Sequence, residues 1–373
     1  MLKRIYIDNY KSMVNCEIDF GGINLFIGDN GSGKSSVFEV ISAIQKFVCE
    51  GSAIEKAFNI EHKTRWQTLK HQTFEVEMTH EDGAYRYQLS VEHRENGIFT
   101  KVKHERLFFE DKPLLRVEDG DACFYKDDFS EGARFPIGRN VSALSIIPPR
   151  DDTARLTWFK TRLKKVVVVQ PIPPMMAAES PKEEEAPSKF LGNYASWYRF
   201  LSQDQGVAFQ LMSDLKDILP GFDSFKYESV GEKHRLLKIY FRNDKNHPAI
   251  GYHFNELSDG QRMLIALYTL LAAAGSEQFG QYTLCLDEPE NFLALPEIQP
   301  WLTELFDRSN RAEMQCLLIS HHPEFINYLL ASPIGYLFER QSNQPTRIKP
   351  IGNSEKQEGM PMSEIVARGW LNA

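Results

Sequence analysis

Hydrophobic positions change their spacing several times along the chain, and each change predicts a different element. Two short runs come first, RIYIDNY from Arg4 and INLFIGD from Ile23, the second apolar enough for a buried strand. VFEVISAIQKFV, from Val37, has apolar residues at helical spacing. Between 73 and 125 polar and apolar positions alternate, as in TFEVEMTH and YRYQLSVEH. With Glu-Asp-Gly (81–83) and Glu-Asn-Gly (95–97) as turns, this predicts an antiparallel meander. KKVVVVQ is a short buried strand that runs into prolines. Residues 171–190, rich in Pro, Glu and small residues, read as a flexible, solvated linker between a 1–170 half and a 191–373 half. Beyond it, NYASWYRFLSQDQ and FQLMSDLKDIL predict helices, and KYESVGEKHRLLKIYFRND predicts strand. MLIALYTLLAAA (263–274) is the longest apolar stretch and has the length of a buried core helix. YTLCLDEPEN and QCLLISHHPE are two further strands, each ending in polar residues. There is no internal repeat, and no heptad run is long enough for a coiled coil.

The first strand-to-helix transition carries chemistry. Gly28-Asp-Asn-Gly-Ser-Gly-Lys34-Ser35 fits G-x-x-x-x-G-K-[ST] without a mismatch. Gly28, Gly31 and Gly33 let backbone wrap around phosphate oxygens in conformations that a Cβ penalises. Successive N–H groups and the following helix N-terminus supply partial positive charge. Lys34 is placed for the β- and γ-phosphates, and the Ser35 hydroxyl is a hard oxygen ligand for Mg²⁺. The alternative is a chance glycine-rich turn, which the strand before and the amphipathic helix after disfavour.

Two strand ends repeat the pattern. Asp287 closes the apolar TLCL strand, as expected of a residue that orients Mg²⁺ through its water shell. Glu288 follows at once, placed to hold and deprotonate an attacking water. The bland alternative is a strand-end acidic turn, since Asp-Glu-Pro also suits a turn. After LLIS come His321 and His322. A histidine at a strand's C-terminal edge can hydrogen-bond a γ-phosphate and sense its loss, and His321 is the favoured one.

The Leu-Ser-Asp-Gly-Gln-Arg knot at 257–262 opens the long apolar helix, and its N-terminus with the Ser258 hydroxyl is a second anion site. A chain whose own P-loop already grips a nucleotide has use for that site when it closes over the γ-phosphate from another subunit. Two copies, head to tail, would then bury two ATP molecules.

Composition narrows the classes. The chain of 373 residues is 42% hydrophobic and 25% charged, ordinary for a soluble globular protein long enough for one large domain or two lobes. Its net charge of −8 does not indicate nucleic acid or an anionic membrane as a partner without a local basic patch. The five scattered cysteines suit reduced thiols. With no apolar h-region at the N-terminus and no 18-residue apolar window, the expectation is a cytoplasmic protein without a membrane span.

Four elements, GDNGSGKS, LSDGQ, LCLDEPEN and ISHH, resemble in this order the Walker A, signature, Walker B with D-loop, and switch-histidine motifs of ABC-type ATPases. IDNYKS ahead of INLFIGDNGSGKSS is similar to the heads of the SMC and RecF-type branch. SALS, DLKDILPGFDSFKYES and DEPENFLALPEIQPWL resemble the compact bacterial AAA family ATPases of the OLD-like, defence-associated group.

The resemblance implies an α/β ABC-ATPase head: a P-loop NTPase sheet with an antiparallel β subdomain and a helical signature lobe, without a long coiled coil. It implies ATP and Mg²⁺ as cofactors and slow hydrolysis to ADP. Asn30, Gly31, Gly33, Lys34, Ser35 and Ser36 would hold the nucleotide, with Lys11 and Ser12 close by. Ser35, Asp287 and Gln170 would serve the metal, though proline-rich surroundings set Gln170 apart from the usual Q-loop pattern. Glu288 would be the base and His321 the switch. Ser258, Gly260 and Gln261 would act in trans, and Asn291 would communicate across the dimer. Asp259 departs from Leu-Ser-Gly-Gly-Gln and adds negative charge near ATP.

Three outputs follow from such an ATPase. The first is a switch or scaffold for a separate effector protein, a nuclease or toxin, in anti-phage defence. The second is a RecF-like DNA-binding repair ATPase, for which HKTRWQTLKH (62–71) and FKTRLKK (159–165) supply basic residues. A transporter subunit comes last, because Lys34 and Ser258 lie too far apart. No Toprim-like or nuclease segment is evident after residue 325.

Overall fold

The phosphate-loop strand does not belong to the meander. The computed structural model describes residues 1–93, 99–244, 246–276, 282–329, 335–351 and 363–364; the Glu-Asn-Gly turn at 95–97 and much of the stretch after 325 lie outside them. The chain divides into two units, Met1–Val166 with Ser332–Gln357, and Val167–Ala331 with Glu358–Ala373.

The N-terminal part of the first unit contributes strands β1 (Leu2–Asp8), β2 (Cys16–Asp19), β3 (Ile23–Gly28), β4 (His71–His80), β5 (Gly83–His93), β6 (Thr100–Phe109), β7 (Lys112–Glu118), β8 (Asp121–Tyr125) and β9 (Glu131–Pro136). Eight of them form an antiparallel sheet in the order β2-β1-β4-β5-β6-β7-β8-β9. Alternation along the sequence becomes two faces: Gln72, Phe74, Val76 and Met78 of β4 are buried, and the residues between them are not. β3 instead pairs parallel with Gly335–Glu339, which pairs antiparallel with Arg347–Ile351. The phosphate loop follows β3 into helix α1 (Lys34–Cys49), whose buried Val37, Phe38, Val40, Ile41, Ile44, Phe47 and Val48 confirm the helical spacing.

The second unit is organised around the Asp259–Ala274 helix, in which every residue from Met263 to Ala274 is buried. A helix apolar on all sides needs cover on all sides. Trp301 Nε1 donates to the Leu267 carbonyl at 3.1 Å, and Tyr194 Oη lies 2.8 Å from Thr269 Oγ1, so two neighbouring helices are pinned to it. Thr283–Asp287 and Gln315–Ile319 are parallel neighbours, paired from Thr283↔Gln315 to Asp287↔Ile319, which brings their polar C-terminal ends together. A smaller antiparallel sheet contains Phe222–Val230, His234–Phe241, Ile250–His253 and the short strand Glu179–Ser180.

Two expectations differ from what is observed. Residues 171–190 are not a free tether: Glu179–Ser180 joins a sheet, Met176, Ala178 and Ser180 are buried, and Gln170 N–H donates to the Lys189 carbonyl at 2.7 Å. Composition reports solvation preference, whereas pairing of backbone groups decides order. Arg162, read as part of a basic stretch, is buried, and burial lowers its guanidinium to about 10, so it does not present charge to a phosphate backbone.

Among the described residues the longest helices have 16 residues, too short for a long coiled coil. None is long and apolar enough to cross a membrane.

Candidate nucleotide and catalytic site

β3 ends at Gly28 with φ +138°, where a Cβ would stand 2.1 Å from the Phe338 carbonyl oxygen. The loop turns through Gly31 (φ +78°) and enters α1 at Gly33 (φ +107°), which caps the helix without any side-chain cap bond. That end of a 16-residue helix presents its positive pole to whatever fills the loop. Lys34 Nζ donates to the carbonyls of Gly28 (2.7 Å) and Asp29 (2.9 Å), which folds the ammonium over the loop. Asn30, Gly31 and Ser35 are exposed there, and Ser36 is buried.

Ser12 reaches the same loop from the N-terminal segment. Its hydroxyl lies 2.8 Å from Thr346 Oγ1, and Thr346 Oγ1 donates to the Ser32 carbonyl at 2.7 Å. A Cβ on Gly33 would meet Thr346 Oγ1 at 2.8 Å and Ser12 Oγ at 3.1 Å, so these hydroxyls shape the cradle. Lys11, with φ +51°, pairs with Glu39 in α1. Thr346 and Arg340, whose Nη1 donates to the Gly31 carbonyl at 3.3 Å, are loop neighbours that no sequence motif marked.

The second unit assembles the acidic part. Asp287 ends its strand, and Glu288 takes a left-handed backbone (φ +50°) with its N–H bonded to the Ile319 carbonyl at 2.9 Å. Asn291 Nδ2 donates to Glu288 Oε2 at 2.8 Å, while His321 Nε2 stands 3.9 Å from Glu288 Oε1. Beneath them is a carboxylate that the sequence reading passed over. Glu290 is buried, its Oε1 accepts from Ser320 Oγ at 2.6 Å and from the His321 N–H at 3.3 Å, and burial pushes its carboxyl up despite those bonds.

The signature knot is also resolved in atomic detail. Ser258 Oγ accepts from the Gln261 N–H at 3.2 Å while Gln261 Oε1 accepts from the Ser258 N–H at 3.1 Å, a capping box at the helix start. Gly260 lies against the neighbouring turn: a Cβ there would be 3.1 Å from the Phe292 carbonyl oxygen. Asp259 pairs with Arg262 at 2.5 Å. Gln170 is half-buried beside Lys189, to which its backbone bonds.

A family profile described as "AAA domain, putative AbiEii toxin, Type IV TA system" matches residues 23–327, from the first residue of β3 to beyond His321. The chain belongs to this family. It is a nucleotide-binding ATPase of the AAA type by membership. Among solved structures it is similar to an SMC head bound to the C-winged helix domain of ScpA, at 14% identity and a TM-score of 0.58, covering 95% of this chain and 99% of that one. The SMC head domain from Thermotoga maritima is 15% identical, with coverage of 94% and 99% and a TM-score of 0.47. No curated protein matches by sequence. The first likeness establishes the fold, an α/β ATPase head of the SMC kind with an antiparallel subdomain, and among the described residues no helix is long enough for a long coiled coil.

Proposed function

We propose that this AAA-family chain hydrolyses ATP with Mg²⁺ at composite sites made by two copies arranged head to tail, and that the paired state acts as a switch for a separate effector protein. The observation that carries the reading is the phosphate cradle, three left-handed glycines around Lys34 at an α1 end with no side-chain cap. Backbone N–H groups in that arrangement bind phosphate oxygens.

In this reading Lys34 leaves its two carbonyl partners for the β- and γ-phosphates, and Asn30, Gly31, Gly33, Ser35 and Ser36 line the cradle. Lys11 and Ser12 support it from the N-terminal segment. Ser35 and Asp287 offer the hard oxygen donors that suit Mg²⁺, with Gln170 as the third candidate. Bound Mg²⁺ would offset charge on the β- and γ-phosphate oxygens. Glu288 takes the proton of the attacking water, held on one side by Asn291 and faced by His321. Ser258, Gly260 and Gln261 of the second copy close over the γ-phosphate, where Asp259 slows turnover.

The family description names a toxin of a toxin–antitoxin system, and the SMC head of the similar structure carries a protein partner. The second favours a protein partner, while the first attaches the toxin description to the AAA domain itself, in keeping with a role in phage defence. The RecF-like reading loses the Arg162 charge from its second basic stretch, in which Lys164 stays exposed.

Light scattering on Glu288→Gln tests the reading. Mass should double with Mg²⁺-ATP, because the proton acceptor is gone while the cradle remains, and Ser258→Arg should abolish the doubling. A mass indifferent to ATP would sink the composite site. Tight duplex-DNA binding at physiological salt, with stimulated hydrolysis, would move the output to the RecF-like reading.

A further inference from the structure

We infer that the Trp66–Arg340 pair on the outer rim of the phosphate loop is the docking seat for Phe292 of a second copy, one such contact flanking each bound nucleotide. The inference rests on the head-to-tail reading and adds a specific contact to it.

Trp66 is 39% exposed, and the Arg340 guanidinium lies 5.5 Å from its ring centroid. Arg340 is held on two further sides, by Nη1 to the Gly31 carbonyl at 3.3 Å and by Nε to the Gln344 carbonyl at 3.2 Å. The guanidinium is thus a fixed plane, covered by the indole and anchored to the loop that cradles phosphate. Pre-ordering removes part of the entropic cost of a later contact, and Trp and Arg are the residue types that dominate interface energetics.

Phe292 is the counterpart. It is 49% exposed and sits at φ +73°, a conformation that sterics disfavour for a bulky side chain. Its carbonyl packs on Gly260, so the ring is carried by a turn that lies against the start of the signature helix. Each aromatic is therefore fixed to one component of the proposed composite site, Trp66 to the cradle and Phe292 to the signature.

Charge selects the pairing. Around Trp66 in sequence or contact are Lys63, Arg65, Lys70 and Arg340, against Glu61 in the same stretch; around Phe292 are Glu288 and Glu297, with Glu256 on the adjoining turn, where Asp259 is paired with Arg262. Two rims of the same kind would repel, whereas basic rim against acidic rim attracts. A second copy supplies both aromatic partner and opposite charge.

The test places cysteines at the two positions in the Glu288→Gln parent. Trp66→Cys copies are mixed with Phe292→Cys copies, and a short bis-maleimide is added with and without Mg²⁺-ATP. The expected result is a covalent dimer from the mixture, dependent on ATP and absent from either variant alone or from the parent with its own five cysteines. In parallel, Trp66→Ala and Phe292→Ala should each weaken ATP-driven dimerisation about 10-fold, and the double variant should be no weaker than either single one. If the parent doubles in mass but the mixture does not cross-link and the two alanine effects multiply, the aromatic seat is wrong and the head-to-tail reading survives. If the parent never doubles, both fall.

Discussion

The Ser320 hydroxyl donates to Glu290 Oε1 at 2.6 Å, with both side chains buried, and the same oxygen accepts the His321 N–H. One carboxylate thereby fixes the strand end from which the proposed switch histidine projects, while its chain neighbour Glu288 faces the imidazole. Glu290 is a positioning residue in this arrangement.

Replacing Glu290 with Ala leaves a buried hydroxyl and a half-buried N–H without their acceptor. Each such loss costs about 1–3 kcal/mol. The expected outcome is a clear fall in Tm and a drop in turnover of about 10-fold or more, with ATP affinity unchanged. Glu290→Gln retains an acceptor oxygen and should recover most of both. Equal losses in affinity and turnover would show that Glu290 does not act through His321.

Ser258 has a local role that operates without nucleotide. Because its hydroxyl caps the Asp259–Ala274 helix, Ser258→Ala should destabilise the free chain by about 1 kcal/mol, and Ser258→Thr should restore it. Thermal melts without ATP measure this part alone. An unchanged melt for Ser258→Ala would mean that the capping box contributes nothing in solution.

Gly28 and Gly31 lie in one loop but should respond differently to alanine. At Gly28 the new Cβ would collide with the Phe338 carbonyl oxygen at 2.1 Å, so backbone on an adjoining strand must move. At Gly31 a Cβ meets nothing within 4 Å, and only the left-handed conformation is penalised, by about 1–2 kcal/mol. Gly28→Ala should therefore fold poorly or not at all, while Gly31→Ala should fold with a modest loss measured by chemical denaturation. Equal stability of the two would contradict the packing at Phe338.

Stability should depend on pH through a carboxyl far from the proposed chemistry. Glu105 is fully buried and accepts from Ser142 Oγ (2.5 Å), the Ala143 N–H (2.8 Å) and Tyr87 Oη (3.0 Å), yet burial pushes it up to about 7 from 4.5. Below about 4.5 both folded and unfolded chains hold the proton; between about 4.5 and 7 only the folded chain does. The Glu105 contribution thus falls as pH rises through that window, by a full excursion on the order of 3 kcal/mol. His93 works in the other direction. Burial pulls its imidazole down to about 4 from 6.5, so the unfolded chain binds the proton more tightly and stability rises across that interval. Comparing Glu105→Gln with the natural chain cancels the histidine. The variant's Tm relative to the natural chain should climb from pH 4.5 to above 7, and parallel Tm curves would refute it.

Much of this was legible along the chain because the information is local. Gly28 to Ser35 are contiguous, and one strand, one turn and one helix suffice to shape them. The alternation from 73 to 125 becomes sheet faces, and the apolar run from 263 to 274 becomes a buried helix, because side-chain periodicity is itself the geometry of the element. The Leu295–Asn310 helix was harder to see, since Pro296 and Pro300 interrupt its pattern; Pro296 in the first turn needs no donor.

What the chain alone could not disclose are partnerships between distant residues. Nothing about Thr346 or Arg340 announces a phosphate loop more than 300 positions earlier, yet parallel pairing of β3 with Gly335–Glu339 carries the segment that follows to Ser12, Ser32 and Gly31. Glu290 looks like one more acidic turn residue until the neighbouring strand delivers Ser320 and His321 to it. Residues 171–190 have a linker's composition but find backbone partners once the chain has collapsed around them. Local sequence determines which conformations a segment prefers; burial and hydrogen-bond satisfaction, properties of the whole folded chain, decide which polar groups meet.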